Sequence, residues 1–415
     1  MSIAEKSMAG ESVDIRVRLG VSPVINLTGT LTTLGGISAR AEAIEAAAAI
    51  MGLGVDMLEL QAAASKIIAQ ATGAEAGFIS ACSSAGICMA VAGAITADRM
   101  DAIEQLPNTD GLKNEVVIQT GHLVNYGHPI EQDIRLTGGR IVAFGAVNSA
   151  SQAQLVGAIG PKTAAAVYVV SHHCAPDGQI PFADFARVCK EHDVPVIVDL
   201  AAEYDMTGYH RDGADITIHS AHKFLGGATA GVVSGKKAHI RAAYLQNYGL
   251  ARPMKVGKES IAAALAALRA FNAEDRAEIN ARLHKPLQLW RDTLADLAGV
   301  TGDFDADPTG NPFERLRITV APDAGFAAVD LLHALETGTP SIRVRAHQLE
   351  HGSFIMDPRS LGAGEDSVVA ERLRAAIEEL QGSGASIGSD KVQAWKTQRA
   401  NALKNWPDTP TEDAT

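Results

Sequence analysis

The chain has 415 residues, 47% apolar and 20% charged, a globular balance that excludes disordered and fibrous classes and leaves room for two domains. Its 36 Lys and Arg against 48 Asp and Glu give a net charge of −12, a poor basis for an affinity built on neutralising nucleic-acid phosphates. Cys82, Cys88, Cys174 and Cys189 show no metal-ligand or CxxC spacing and fit a reducing compartment; with no apolar signal core in MSIAEKSMAGESVDIRV and no run near the length of a membrane span, a cytoplasmic protein is expected.

Seven short apolar runs follow one another between residues 70 and 240: 77–80 (GFIS), 115–119 (EVVIQ), 140–144 (RIVAF), 164–170 (AAAVYVV), 194–199 (VPVIVD), 215–219 (DITIH) and 230–234 (AGVVS). Near-continuous Val/Ile runs, rather than alternating ones, predict strands buried on both faces of a mostly parallel sheet. Between the fourth and fifth runs, Phe182, Phe185, Val188 and Cys189 share one helical face. An Ala/Leu-rich helix is expected over 260–271 and a more charged one over 273–297. A smaller β/α unit follows: a strand at 313–320, a helix near 327–335, a strand at 341–345, and a helix with Val368, Val369, Leu373, Ala376, Ile377 and Leu380 on one face. Residues 385–415 read as a polar, frayed tail.

The chemistry is concentrated in VIVDLAAEYD and DITIHSAHKFLGG. Asp199 sits at the carboxyl end of a buried strand, where an open parallel sheet places its ligands. A carboxylate there needs a cationic partner, because a lone buried charge is very costly. Lys223 follows the next strand, beside Ser220, His222, Gly226 and Gly227. One chemistry uses both groups: pyridoxal phosphate held as a Schiff base on Lys223, with Asp199 pairing its pyridinium nitrogen. An ordinary strand-end Asp and a surface Lys is the competing reading. Cys82-Ser83-Ser84-Ala85 opens an apolar helix after the first strand and offers backbone N–H groups to a phosphate; a plain Ser cap competes. His122 follows the second strand and is expected to stack on the pyridine, with Ala201 and Ala202 on its other face. Tyr126, one turn further, is placed to reach substrate.

Three weaker clusters remain. His172-His173-Cys174 lacks a further ligand at metal spacing and is read as a loop beside the active site, so no metal is expected. The run 252–258 (RPMKVGK), with Lys255, combines cations with a rigid turn and suits an anionic substrate. Arg343 and Arg345 alternate on a short strand and share a face, suiting a substrate carboxylate.

The sequence resembles the selenocysteine synthase-like group of fold-type I pyridoxal-phosphate enzymes, and its D-glucosaminate-6-phosphate ammonia-lyase branch more than the tRNA-acting synthases. The likeness spans roughly residues 21–380 and rests on VINLTGTLTTLGG, LELQAAASKIIAQATGAEAGFIS, LPNTDGLKNEVVIQTGH, PDGQIPF, VPVIVDLAAE, RPMKVGKESI and MDPRSLGAGED. It implies an α/β fold with a seven-stranded, mostly parallel large domain (56–258), a small C-terminal α/β domain (259–384), an arm (1–55) lining the active site and a tail (385–415). It implies that Lys223 carries the cofactor, Asp199 holds the ring nitrogen, Ser83, Ser84 and Ser220 hold the phosphate, and His122 lies against the ring. Asn26, Thr28, Thr30 and Gln61 would line the substrate entrance. It also implies a homodimer or larger homo-oligomer with the site between subunits, completed by a neighbour's loop near Lys255.

Two positions depart from the branch. Ala221-His222 replaces Gly-Gly before the lysine, and Leu123 stands where a basic residue commonly follows the histidine. Losing that cation favours an unphosphorylated hydroxy-amino acid or amino sugar acid. The expected reaction is α-proton removal by Lys223 and β-elimination, with Lys223, His222 or Tyr126 protonating the leaving oxygen. Racemisation, aldol cleavage and amino transfer are the rival reactions; a tRNA-dependent selenium or sulfur transferase is disfavoured by the charge, and a non-catalytic binding protein by the intact Lys223 and Asp199.

Overall fold

All seven apolar runs are strands of one sheet in the computed structural model, which describes residues 14–383 and 390–408. In chain order the strands are β1 (Val24–Leu27), β2 (Ala76–Ser80), β3 (Glu115–Gln119), β4 (Arg140–Phe144), β5 (Thr163–Val169) and β6 (Val196–Asp199). They continue as β7 (Ile216–Ser220), β8 (Gly231–Gly235), β9 (Val300–Ala306), β10 (Glu314–Val320), β11 (Ser341–Val344) and β12 (Ser353–Met356). The large sheet is ordered β2-β8-β7-β6-β5-β3-β4; β8 runs antiparallel to both neighbours and the other pairings are parallel. The carboxyl ends of β2, β3, β5, β6 and β7 therefore share one edge of the sheet, and Ser83, His122, Asp199 and Lys223 all follow those ends.

The helices that cover this sheet are shaped by small residues and by one-sided patterning. The helix Ser83–Thr96 is buried almost throughout. A Cβ on its Gly86 would come within 3.0 Å of Val233 and 3.1 Å of Ile218, so glycine there lets the helix approach β7 and β8. The helix Phe182–Glu191 buries Phe182, Phe185, Val188 and Cys189, the stripe its spacing predicts.

By contact density the chain divides into two compact units. The larger holds residues 30–276 with 307–312; the smaller holds the residues up to Gly29, 277–306 and those from Phe313 on. The helix Lys258–Ala273, placed by sequence at the start of the small domain, belongs to the larger unit: its Ile261, Ala264 and Leu268 share a buried cluster with Ala43, Ile68 and Phe224. In the smaller unit β9, β10 and β12 form an antiparallel sheet, and β1 pairs in parallel with β11. Leu331, Leu335, Leu373 and Ile377 from its helices share one buried cluster with Trp290.

The frayed tail is corrected in part: Asp390–Lys404 is a helix. Lys391 pairs with Asp330 at 2.7 Å, the Trp395 indole N–H donates to Glu336 at 2.9 Å, and Arg399 meets Glu336 at 3.0 Å. Residues 385–389 and 409–415 of the expected tail lie outside the described residues.

Candidate functional site

Asp199 ends β6 and is 6% exposed. Burial pushes its carboxyl up to about 6; Lys223 and the Ala201 backbone N–H, which donates to Oδ1 at 3.1 Å, pull the other way, and Asp133 adds to the rise. β6 pairs with β7, so the 24-residue gap in sequence between Asp199 and Lys223 becomes adjacency across two strand ends. Lys223 is half-buried on the turn after β7, where its N–H donates to the Ser220 carbonyl at 3.3 Å and its carbonyl accepts from Gly226 at 3.1 Å.

His222 is buried, and burial with the Lys223 charge lowers its pKa, keeping the imidazole neutral at pH 7. Its Nδ1 lies 3.3 Å from the Ser220 hydroxyl and its Nε2 3.4 Å from that of Thr32. The His222 carbonyl accepts from Ile37 N–H at 3.1 Å, which draws the segment of Thr30 onto this turn. Gly36 has φ +79°, and a Cβ there would strike the His222 carbonyl; only glycine fits.

His122 is 2% exposed, and burial pulls its pKa down to about 4. Its Nδ1 accepts from Val169 N–H at 3.1 Å, so the neutral ring carries its hydrogen on Nε2. Tyr168 meets it edge-on, 4.4 Å between ring centres.

At the helix start, Cys82 rather than a serine is the cap residue; its sulfur accepts from Ala85 N–H at 3.4 Å. Ser83 is half-buried at the first helical position. The Ser84 hydroxyl donates to Asp133 Oδ1 at 2.7 Å and lies 3.1 Å from His128 Nε2. The Tyr126 hydroxyl donates to the other oxygen of Asp133. Asp133, 2% exposed, thus gathers Ser84, Tyr126 and His128, and burial raises its pKa. The Ser84 and Tyr126 hydroxyls thus both meet a buried carboxyl that the sequence did not single out. Sequence alone gave no sign of it, because Asp133 sits in a plain amphipathic helix, Ile130–Leu136.

The Gln61 side-chain amide donates to the Ile79 carbonyl at 2.8 Å and accepts from the Ile79 N–H at 3.0 Å, capping the outer edge of β2. Ala201 and Ala202 follow Asp199, and Lys255 is exposed. In the smaller unit, the Asn26 side-chain carbonyl accepts from the Thr28 N–H at 2.9 Å and hydroxyl at 2.7 Å. Arg343 pairs with Glu336 at 3.3 Å and Arg345 donates to His347 at 3.1 Å, contacts within the smaller unit. The His172 and His173 rings lie 3.8 Å apart, and no cluster able to hold a metal occurs among the described residues.

One group the sequence did not single out is Glu203, four residues after Asp199 and 5% exposed. Its Oε1 lies 3.0 Å from the Thr309 hydroxyl, and Asn311 accepts from Tyr204 N–H at 2.8 Å. The partners lie about a hundred residues downstream, so no local pattern announces them.

Residues 24–289 match the family model described as L-seryl-tRNA selenium transferase. The chain belongs to this family. It is 37% identical to a D-glucosaminate-6-phosphate ammonia lyase of Salmonella typhimurium, covering 88% of this chain and 98% of that one. It is 35% identical to a 5'-C-glycyluridine monooxygenase-decarboxylase of a Streptomyces species, over 90% of this chain and 94% of that one. A solved D-glucosaminate-6-phosphate ammonia-lyase structure superimposes with a TM-score of 0.81 at 36% identity, covering 89% of this chain and all of the other. A Sphingomonas wittichii serine palmitoyltransferase, at 15% identity and a TM-score of 0.54, shares the fold alone. The architecture is that of fold-type I pyridoxal-phosphate enzymes.

Proposed function

We propose that this member of the family is a pyridoxal-phosphate-dependent carbon–nitrogen lyase, an ammonia-lyase or dehydratase acting on a hydroxy-amino acid or amino sugar acid. The observation that carries the reading is the coupling of buried Asp199 to Lys223 across adjoining strand ends.

The residues fit the cofactor. Burial leaves Asp199 half-way to protonation at mildly acid pH, so a cationic ring nitrogen is the partner its site lacks. At the start of the Ser83–Thr96 helix, the backbone N–H groups of Ser83 and Ser84 have no acceptor within the helix and suit a phosphate. Bound pyridoxal phosphate supplies an electron sink for a carbanion at the substrate α-carbon. Asp199 would hold the ring-nitrogen proton, and Ala201 and His122 would lie against the ring. Lys223 Nζ takes the α-proton. Lys223, carrying the proton it has taken, would hand it to the departing β-oxygen, and neutral His222 beside it would orient that oxygen through its ring N–H; the Tyr126 hydroxyl donates to Asp133. The released enamine hydrolyses to ammonia and a 2-oxo acid.

We further propose a cytoplasmic homo-oligomer in which a neighbour's Lys255 loop completes the site. Ile44, Met51, Leu53, Val55, Met57 and Leu58, 38–60% exposed, support a covered apolar face.

The test is to supply the purified protein with pyridoxal phosphate and a panel of D- and L-hydroxy-amino acids and amino sugar acids, phosphorylated and not. Release of ammonia and 2-oxo acid without an amino acceptor is expected, and it should vanish in Lys223→Ala. Oxygen uptake with release of carbon dioxide, the reaction class named for the Streptomyces relative, would overturn the lyase reading.

A further inference from the structure

Four residues beyond Asp199, the same loop ends in a carboxyl that the chemistry above does not use. Glu203 Oε1 lies 3.0 Å from the Thr309 hydroxyl, and Asp307 Oδ1 lies 2.6 Å from that same hydroxyl on its other side. Threonine has one hydroxyl hydrogen, so it cannot donate to both carboxylates at once. With a hydrogen on Glu203 every contact becomes a donor–acceptor pair: Glu203 donates to Thr309, and Thr309 donates to Asp307. The Asn311 amide, 3.0 Å from the Thr309 oxygen and 3.1 Å from Asp307 Oδ1, supplies donors to this chain and lies 3.4 Å from the Ala202 carbonyl.

We infer that Glu203 and Asp307 share one proton through Thr309, and that this clamp is a positioning device for the loop that carries Asp199 and Ala201. It connects to that loop at three places: the Glu203 side chain, the Ala202 carbonyl and the Tyr204 N–H, which donates to Asn311 at 2.8 Å. Asp307–Pro312 belongs to the same compact unit as Glu203.

The electrostatic surroundings agree. Burial is the largest cause raising Glu203, to about 7; Thr309 and Asn311 oppose it, and the like charges of Asp307 and Asp199 add to it. Tyr209 and Cys174 also feel Glu203, and both are themselves pushed upward by burial. Because the folded-state value lies above the ordinary 4.5, the stability contributed by this proton is present below pH 4.5 and is lost as pH rises through about 7.

Thermal melting of the holoenzyme across pH 5–8.5, for wild type and Glu203→Gln, tests this. Glutamine donates to Thr309 at every pH, so the melting-temperature difference between variant and wild type should grow in the variant's favour as pH rises through 7. A difference that stays flat overturns the shared proton. Asp307→Asn provides a second reading should the first variant fold poorly: removing the like charge should move the wild-type transition to lower pH, and an unmoved transition again overturns it. For positioning, pyridoxal phosphate titration should show weaker retention in Glu203→Ala, restored by Glu203→Gln at pH 6; equal retention in all three overturns that role. This last arm rests on Asp199 as the cofactor's partner, whereas the melting arms do not, so failure of one is separable from failure of the other.

Discussion

At the residue scale, Asp199 has a charge that its surroundings resist and its proposed role requires. Replacing it by asparagine preserves volume and removes the charge, so kcat/KM should fall by roughly 10²–10³-fold, comparable to the loss of a buried charge partner. The pH dependence follows from the raised carboxyl. In the cofactor-free protein the folded value of about 6 exceeds the ordinary 3.8, so this group's contribution to stability is present below pH 3.8 and lost as pH rises through 6. On the proposed pairing of Asp199 with the ring nitrogen, cofactor binding runs the opposite way: titrations should show pyridoxal phosphate held more weakly at pH 5 than at pH 7.5 in wild type, and this dependence should flatten in Asp199→Asn. Gly36 is a second residue with one permissible identity. Gly36→Ala forces a side chain onto a left-handed backbone against the His222 carbonyl. At least about 1–2 kcal/mol of stability should be lost from the backbone alone, measurable by denaturant unfolding, with weaker cofactor retention because the displaced turn carries Lys223.

At the scale of elements, what was legible in the sequence was what burial writes locally. Each apolar run became a strand because a strand buried on both faces must be apolar throughout, and β3 and β4 occupy the expected residues without shift. Asp199 and Lys223 were legible for the same reason: polar groups placed directly after such runs stand out. β9 and β12 were not, since their pairing depends on β10 and not on a long apolar stretch. Ser84, Tyr126 and Gln61 stand out in sequence, but their bonds to Asp133 and to the edge of β2 could not be read there, because only folding brings those partners near. The helix Asp390–Lys404 was hidden in the same way, because its anchors are polar. Its Trp395 indole and Arg399 meet Glu336, a carboxylate 8% exposed. Trp395→Ala removes one donor from that buried acceptor and should cost about 1–3 kcal/mol in chemical denaturation, whereas Trp395→Phe should recover the packing share alone.

For the whole molecule, the open question is what covers the segment 44–58. Ile44 and Leu58 belong to the helices Ala41–Met51 and Met57–Thr72, whose inward residues Ala43, Ala64 and Ile68 are fully packed. Their outward apolar residues stay exposed among the described residues; exposed clusters of this kind favour association, and the −12 charge keeps the rest of the surface hydrated. An interface between identical chains relates the same patch to itself or to a second patch by symmetry. Charging two of its exposed members should therefore act at every copy of the interface. Leu53→Asp with Leu58→Asp, both 59% exposed in wild type, is expected to shift the mass measured by light scattering from an oligomer toward the 43.4 kDa chain without lowering secondary-structure content. If the site is completed by a neighbour, lyase turnover should fall with the mass while Lys223 still binds pyridoxal phosphate; a fully active monomer would place every required residue within one chain.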